Sequence, residues 1–232
     1  MEALDTPTYS ATMAGRLVGL RPERVRRWLQ GYQRAYLNGP DGEKRISHIS
    51  PVVCREDDCE VSYASFLDLI DLLFVKQFLD HGISLQKVRK ALAEAKEILG
   101  DSHFAKKRFF NDGRKIYLQV KDKRPEALLE LLSGGQWSIP SIIKQTSYQI
   151  DFNEVSEFAE RWYPPGVNNL IVLDPRISFG APTIVKRGIP TANIFDLYNA
   201  ENKNIDKVSS WMELKNYEIE SAINFEKMLE AA

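Results

Sequence analysis

The order of apolar and polar positions divides the chain into helical stripes separated by short β-prone runs. Phe66, Leu69, Ile70, Leu73, Phe74 and Phe78 recur at helical spacing, which predicts a helix opening at Ser65. Gly82 splits it from a second helix, capped by Ser84 and running to Gly100. Ahead of this pair, "YSATMAGRLVGLRPERVRRWLQGY" has the packing logic of a helix-turn-helix. Two helices that cross through a tight turn need a small residue at their contact, a turn residue free of dihedral restriction, and apolar inner faces. Gly15, Gly19 and the set Val18, Leu20, Val25 and Trp28 fill those roles, while Ser10 can cap the first helix and Pro22 open the second. Asn38 to Gly42 is a turn cluster, and the β-prone runs Ile46–Val53 and Glu60–Tyr63, joined by the Cys54–Cys59 loop, predict a hairpin wing.

In the middle, "RFFNDGRKIYLQV" sets two β-prone runs around Asn111-Asp112-Gly113, Pro125–Leu132 reads as a short helix, and "SYQIDF" reads as a strand. Asp151, Glu154, Glu157 and Glu160 then recur at near-helical spacing opposite Val155, Phe158 and Ala159. That pattern is the solvated face of an amphipathic helix before it is a two-metal nuclease site. Further on, Leu170–Leu173 and Thr183–Lys186 read as strands, and Gly188 and Pro190 turn the chain into a helix that Thr191 can cap. The glycines there do not have phosphate-loop spacing. "IDKVSSWMELKNYEIESAI" repeats the helix-turn-helix logic, with Ser209 as the small contact, Asn216 as a cap and Glu213 where glycine would be easiest. The fold class expected is mainly α with small β elements (α+β). Its three segments are a winged helix-turn-helix over 1–100, an α/β connector over 101–165, and a β-ribbon with three helices over 166–232.

Composition sharpens this. The chain has 232 residues, 44% of them apolar and 27% charged, enough for two compact domains. No apolar run reaches bilayer length and the N-terminus has no signal pattern, so the chain is expected in the cytoplasm. Cys54 and Cys59 read as plain thiols; a disulfide or a zinc site with His48 stays open. The formal charge of −1 hides opposed ends. Eight basic residues stand against three acidic ones between Tyr9 and Arg45, and four lysines against eight carboxylates between Ala192 and Ala232. Arg21, Arg24, Arg26 and Arg27 lie on the outward side of the second helix, where a major groove would meet them. Lys44, Arg45 and His48 can reach phosphate from the wing, and Lys106-Lys107-Arg108 reads as a surface run. Glu218 and Glu220, read as outward, would repel phosphate, so the rear unit suits a protein partner. His48, His81 and His103 have no ligand spacing and no nucleophile motif is present, so neither an enzyme nor a cofactor is expected.

The order helix-turn-helix, wing, helix, "HGISLQKVRKAL" helix resembles the DNA-binding domain of MerR-type regulators over residues 1–100, without the long heptad helix through which that family dimerises. "RWYPPG", "LDPRISFGAP" and "GIPTANIFDL" followed by a helix-turn-helix resemble the small uncharacterised domain of VapB-type antitoxins. The combined resemblance implies a type II antitoxin, acting as a homodimer, that represses its own operon by binding operator DNA. It further implies a PIN-like ribonuclease toxin, encoded next to it, as the protein partner. On this reading Lys186, Arg187, Tyr217, Glu218, Glu220 and Phe225 are the partner-binding candidates. The alternative is a MerR-like transcriptional regulator with a C-terminal effector or dimerisation domain. Asp174 with Arg176 is expected to tie the proline-rich ribbon together, and Lys186 and Arg187 either solvate its end or meet a partner.

Overall fold

A computed structural model describes residues 2–38, 43–53, 63–99, 105 and 148–232. Cys54, Cys59, His103, the Lys106–Arg108 run, the Asn111–Gly113 turn and the Pro125–Leu132 helix lie outside the described residues. The architecture is α+β: eight helices and nine short strands among the described residues, in small antiparallel sheets. None of these helices is long and apolar enough to cross a membrane.

The N-terminal half is built around one apolar helix. After α1 (Glu2–Asp5), β1 (Tyr9–Ser10), α2 (Ala11–Val18) and α3 (Pro22–Gln30), the chain makes β2 (Tyr32–Asn38), β3 (Glu43–Ile49) and β4 (Tyr63–Ala64), then α4 (Phe66–Asp80) and α5 (Leu85–Leu99). Every residue of α4 from Phe66 to Val75 is buried, as expected of a helix apolar all round and covered by α1, α2, α3 and α5. Its two buried carboxylates are satisfied locally. Asp68 accepts from the Ser65 backbone at 2.7 Å while the Ser65 hydroxyl accepts from Asp68 N at 3.1 Å, a capping box. Asp71 accepts from Ala105 N at 3.1 Å.

The helix-turn-helix forms as its residues demand. Ser10 Oγ accepts from Met13 N at 3.1 Å, Pro22 is the first residue of α3, and Gly19 sits at φ 70°. A side chain at Gly15 would put its Cβ 2.4 Å from the Leu20 carbonyl, so only glycine allows the two helices their approach. The wing differs from expectation. β3 pairs with β2 over seven residues each, and Tyr63–Ala64 pairs with Tyr9–Ser10 instead. Only four residues separate Asn38 from Glu43, far fewer than lie between Ile49 and Tyr63, so pairing β3 with β2 closes the shorter connection. The wing is fixed to α3: the Trp28 carbonyl accepts from Val52 N at 2.7 Å and Val53 N at 3.1 Å.

In the C-terminal half, β5 (Ile150–Phe152) and β6 (Ala159–Trp162) form a hairpin, and β7 (Ile171–Val172), β8 (Thr183–Ile184) and β9 (Ile189–Pro190) a three-stranded sheet. Three helices follow: α6 (Thr191–Ala200), α7 (Ile205–Met212) and α8 (Asn216–Ala231). The helix expected over Glu154–Glu160 is absent. Asn153 Oδ1 accepts from Val155 N at 3.0 Å and Ser156 N at 2.9 Å, and Glu157 takes φ 63°, so an Asx turn outcompetes helical hydrogen bonding. Thr191 caps no helix; its hydroxyl bonds the Pro182 carbonyl at 3.2 Å and the Glu226 carboxylate on α8. Asn216 is likewise inside α8, its amide donating to Asp206 at 2.7 Å.

One core cluster runs from Tyr9 to Leu229 and includes Trp162, Ile171, Val208 and Phe225 with the α4 residues. At the join, Tyr9 Oη donates to the Gly180 carbonyl at 2.8 Å, a buried bond across 171 positions. Burial and then the nearby Asp174 carboxylate push the Tyr9 phenol well above its usual value, so it stays a donor at any working pH. Gly180 has φ 80°, and a Cβ there would lie 2.2 Å from Tyr9 Oη. Tyr9→Phe is expected to destabilise the fold by about 1 to 3 kcal/mol, the cost of an orphaned buried carbonyl, in urea unfolding. Gly180→Ala costs more, and the double variant costs less than the two single effects added, because removing the hydroxyl relieves part of the clash.

Candidate functional site

The exposed side of α3 and one face of the wing make a continuous basic surface. Val25 (0% exposed) and Trp28 (3%) pin the inner side of α3, which leaves Arg21, Arg24, Arg26 and Arg27 in solvent. Arg26 lies 4.0 Å from Glu23, a loose surface pair worth little and leaving the guanidinium available. The Arg27 guanidinium sits 5.2 Å from the centre of the Tyr32 ring, carrying the cationic surface from helix to wing. Because strand side chains alternate, Tyr32, Arg34 and Tyr36 share a face of β2, and the register puts Ser47 and Arg45 beside Arg34 and Tyr36 on that face. The other face carries Gln33, Ala35, Ile46 and the exposed His48; Lys44 lies in β3 opposite Leu37. Sequence reasoning found the four helix arginines and Arg45 but assigned no role to Arg34 or Tyr36. The signal was present as Tyr-x-Arg-x-Tyr at strand period.

A second cluster centres on Asp174, 1% exposed. Arg161 Nε donates to Oδ2 at 2.9 Å, Arg176 Nε to Oδ1 and Nη2 to Oδ2 at 2.8 Å each, and Arg176 N to Oδ1 at 3.0 Å. Burial alone would push the carboxyl up, but the bonds from Arg176 and then Arg161 outweigh it and hold the value down to about 2. Arg176 also reaches Glu160 at 3.3 Å. With both oxygens occupied, Asp174 is a clamp on the β6–β7 junction and has no lone pair aimed at solvent for catalysis. Among the described residues no group of three or more histidines, cysteines or carboxylates could hold a metal ion. Just beyond the clamp, Ser178, Phe179 and Gly180 are all left-handed (φ 48°, 55° and 80°), and the Phe179 ring is 84% exposed.

The rear helices present the third surface. Lys186 lies 3.8 Å from Glu218 on α8 and Arg187 3.1 Å from Glu213 in the turn between α7 and α8, so both ribbon cations have carboxylate neighbours. Glu218 is not outward: it is 3% exposed, and its Oε2 accepts from Lys215 N at 2.9 Å, which draws it back over the first turn of α8. Phe225, at 2% exposed, belongs to the core. Tyr217 and Glu220 do face solvent. Together with Met228 they edge an open groove of about 510 Å³ between α8 and the turn after Pro165, with Val167 and Leu170 on its other wall.

Comparison with known proteins places these features in context. Residues 171–225, which include Asp174 and Arg176 of the clamp, the ribbon and most of α8, match a family described as a protein of unknown function, DUF433. A protein of Mycobacterium tuberculosis (strain ATCC 25618 / H37Rv), provisionally named antitoxin VapB45, is 21% identical over 200 residues, 82% of each chain. The crystal structure of Rv2018 from Mycobacterium tuberculosis superposes with a TM-score of 0.66 over 95% of this chain and 99% of that one, at 19% identity. At that identity the likeness is one of fold.

The Asp174 clamp sets an acid limit on stability. Its folded value lies below the ordinary aspartate value of 3.8, so its contribution is fully present above about pH 4 and is lost as pH falls toward 2. Because both arginines are about half exposed, Asp174→Asn is expected to lower stability by about 1 to 2 kcal/mol at pH 7. In chemical unfolding at stepped pH the gap between the two proteins should narrow steadily below pH 4; a gap independent of pH would contradict the ionised clamp.

Proposed function

We propose that the chain is an antitoxin that binds operator DNA through its N-terminal winged helix-turn-helix and neutralises a partner ribonuclease through its C-terminal helices. The observation that carries this reading is the unbroken cationic face from Arg21 and Arg24 on α3, across Arg27 stacked on Tyr32, to Arg34 and Arg45 on a wing held rigidly to that helix. The name of the similar mycobacterial protein supports the antitoxin half. The arrangement suits a duplex. α3 is narrow enough for the major groove, where arginine forks can bond guanine edges, while the wing lies over the adjacent phosphates. In a homodimer the two α3 helices would enter grooves one helical turn, about 34 Å, apart.

At the rear, four lysines against eight carboxylates between residues 192 and 232 would repel DNA and attract a protein that itself binds RNA. The partner is then a PIN-like ribonuclease toxin encoded beside this chain. No step in this mechanism breaks a bond or needs a cofactor, which fits a regulator acting in the cytoplasm.

Gel shift with the DNA upstream of the gene, over a salt series, tests the DNA half. Arg24→Ala should weaken the specific shift by about 1 to 3 kcal/mol, and Arg45→Ala should weaken all DNA alike while lowering the salt slope by about one. Absence of any shift by the wild-type chain at low salt sinks the repressor role. Co-expression with the neighbouring open reading frame tests the other half; if no complex forms, the chain is a lone regulator.

A further inference from the structure

Helix α8 has two working faces, and among the described residues only one packs into the core. Ile219, Ala222, Ile223 and Leu229 face the core. A second stripe, Tyr217, Glu220, Asn224 and Met228, follows the same three- and four-residue spacing and borders the groove. Tyr217 is 45% exposed and Met228 48%, at the two ends of a stripe about 16 Å long. The opposite wall has a fixed shape. Gly166, Asn168 and Asn169 take φ 84°, 47° and 57°, Leu170 N donates to Val167 O at 2.9 Å, and the Leu170 carbonyl accepts from Val185 N at 3.0 Å. Asparagine is the side chain that tolerates such dihedrals best after glycine.

Charge decides the occupant. Glu220 is the one acidic or basic side chain among the described residues that line the groove. It sits within a helical half carrying a two-fold excess of carboxylates. A second copy of this chain, meeting itself face to face, would set that acidic half against its own image. DNA would be repelled. A ribonuclease carries cations to hold its substrate, and a long cationic side chain lays an apolar stem on apolar walls while its head meets a carboxylate.

We infer that the groove between α8 and the Pro165–Leu170 turn docks a segment of the partner ribonuclease that seats an apolar side chain between Tyr217 and Met228 and an arginine or lysine on Glu220. The inference rests on the antitoxin reading above. Tyrosine supplies a rigid anchor and methionine an adaptable one, the usual makings of a binding hot spot.

The test uses the full chain co-purified with the product of the neighbouring open reading frame. Affinity is measured for the wild type and for Glu220→Gln, Glu220→Arg and Tyr217→Ala/Met228→Ala, with the upstream-DNA gel shift as a control for intact folding. Glu220→Gln should weaken the complex about tenfold and Glu220→Arg at least a hundredfold, with the double alanine variant between them and the DNA shift unchanged. Wild-type affinity in Glu220→Arg and the double variant overturns the groove while leaving the antitoxin reading standing. Failure of the wild type to form any complex overturns the reading itself. A change confined to self-association in sedimentation assigns the groove to a second copy and also overturns the proposal.

Discussion

A buried phenol hydroxyl ties the front of this chain to its C-terminal ribbon. Tyr9 is buried at the start of the helix-turn-helix, and its hydroxyl donates to the carbonyl of Gly180, in a left-handed turn of the C-terminal ribbon. For that bond to form, the ribbon must fold back in three successive left-handed residues, and the ribbon can do so because Asp174 clamps its entrance through two arginines. Burial first, and then the negative charge that the clamp holds close by, keep the Tyr9 phenol protonated and donating. Two charged interactions and one neutral hydrogen bond therefore set the relation between a basic front and an acidic rear.

Around this joint the structure divides labour by sign of charge. The front buries one side of α3 so completely that its arginines have nowhere to go but outward. The rear draws one carboxylate, Glu218, into a cap and leaves another, Glu220, at the groove. α2 touches both α3 and α8, so the two surfaces share a helix and lie on different sides of one core.

Features set by local sterics were legible in the sequence. Gly15, Gly19, Ser10, Pro22 and the α4 stripe all act where the pattern put them, because each is dictated by a few neighbouring residues. The α+β class followed from those elements. Features set by competition between alternatives were harder to read. β2 escaped notice because Gln33, Arg34, Ala35 and Tyr36 are all exposed, so that neither face imposes an apolar alternation on the sequence there. The Glu154–Glu160 spacing looked helical because an Asx turn at Asn153 depends on one side chain accepting two backbone bonds, which periodicity does not register. Glu218 was read as exposed from its polarity, though its position three residues into α8 is where a carboxylate folds back. Asn202 and Lys203 take left-handed dihedrals with no glycine to announce them, whereas Glu213, standing where the helix-turn-helix pattern makes glycine easiest, takes φ 53° as that position requires.

The Trp28 carbonyl, accepting from both Val52 and Val53, has a consequence for the entropy of association. With the wing base locked to α3, the backbone of the cationic face is ordered before any ligand arrives. What remains to be frozen on contact is side-chain rotamer freedom, on the order of 0.5 to 1.5 kcal/mol for each long arginine that becomes immobile. A polyanion meeting this face would thus lose little affinity to folding or hinge closure, and the temperature dependence of its binding would report mainly counterion release and side-chain ordering.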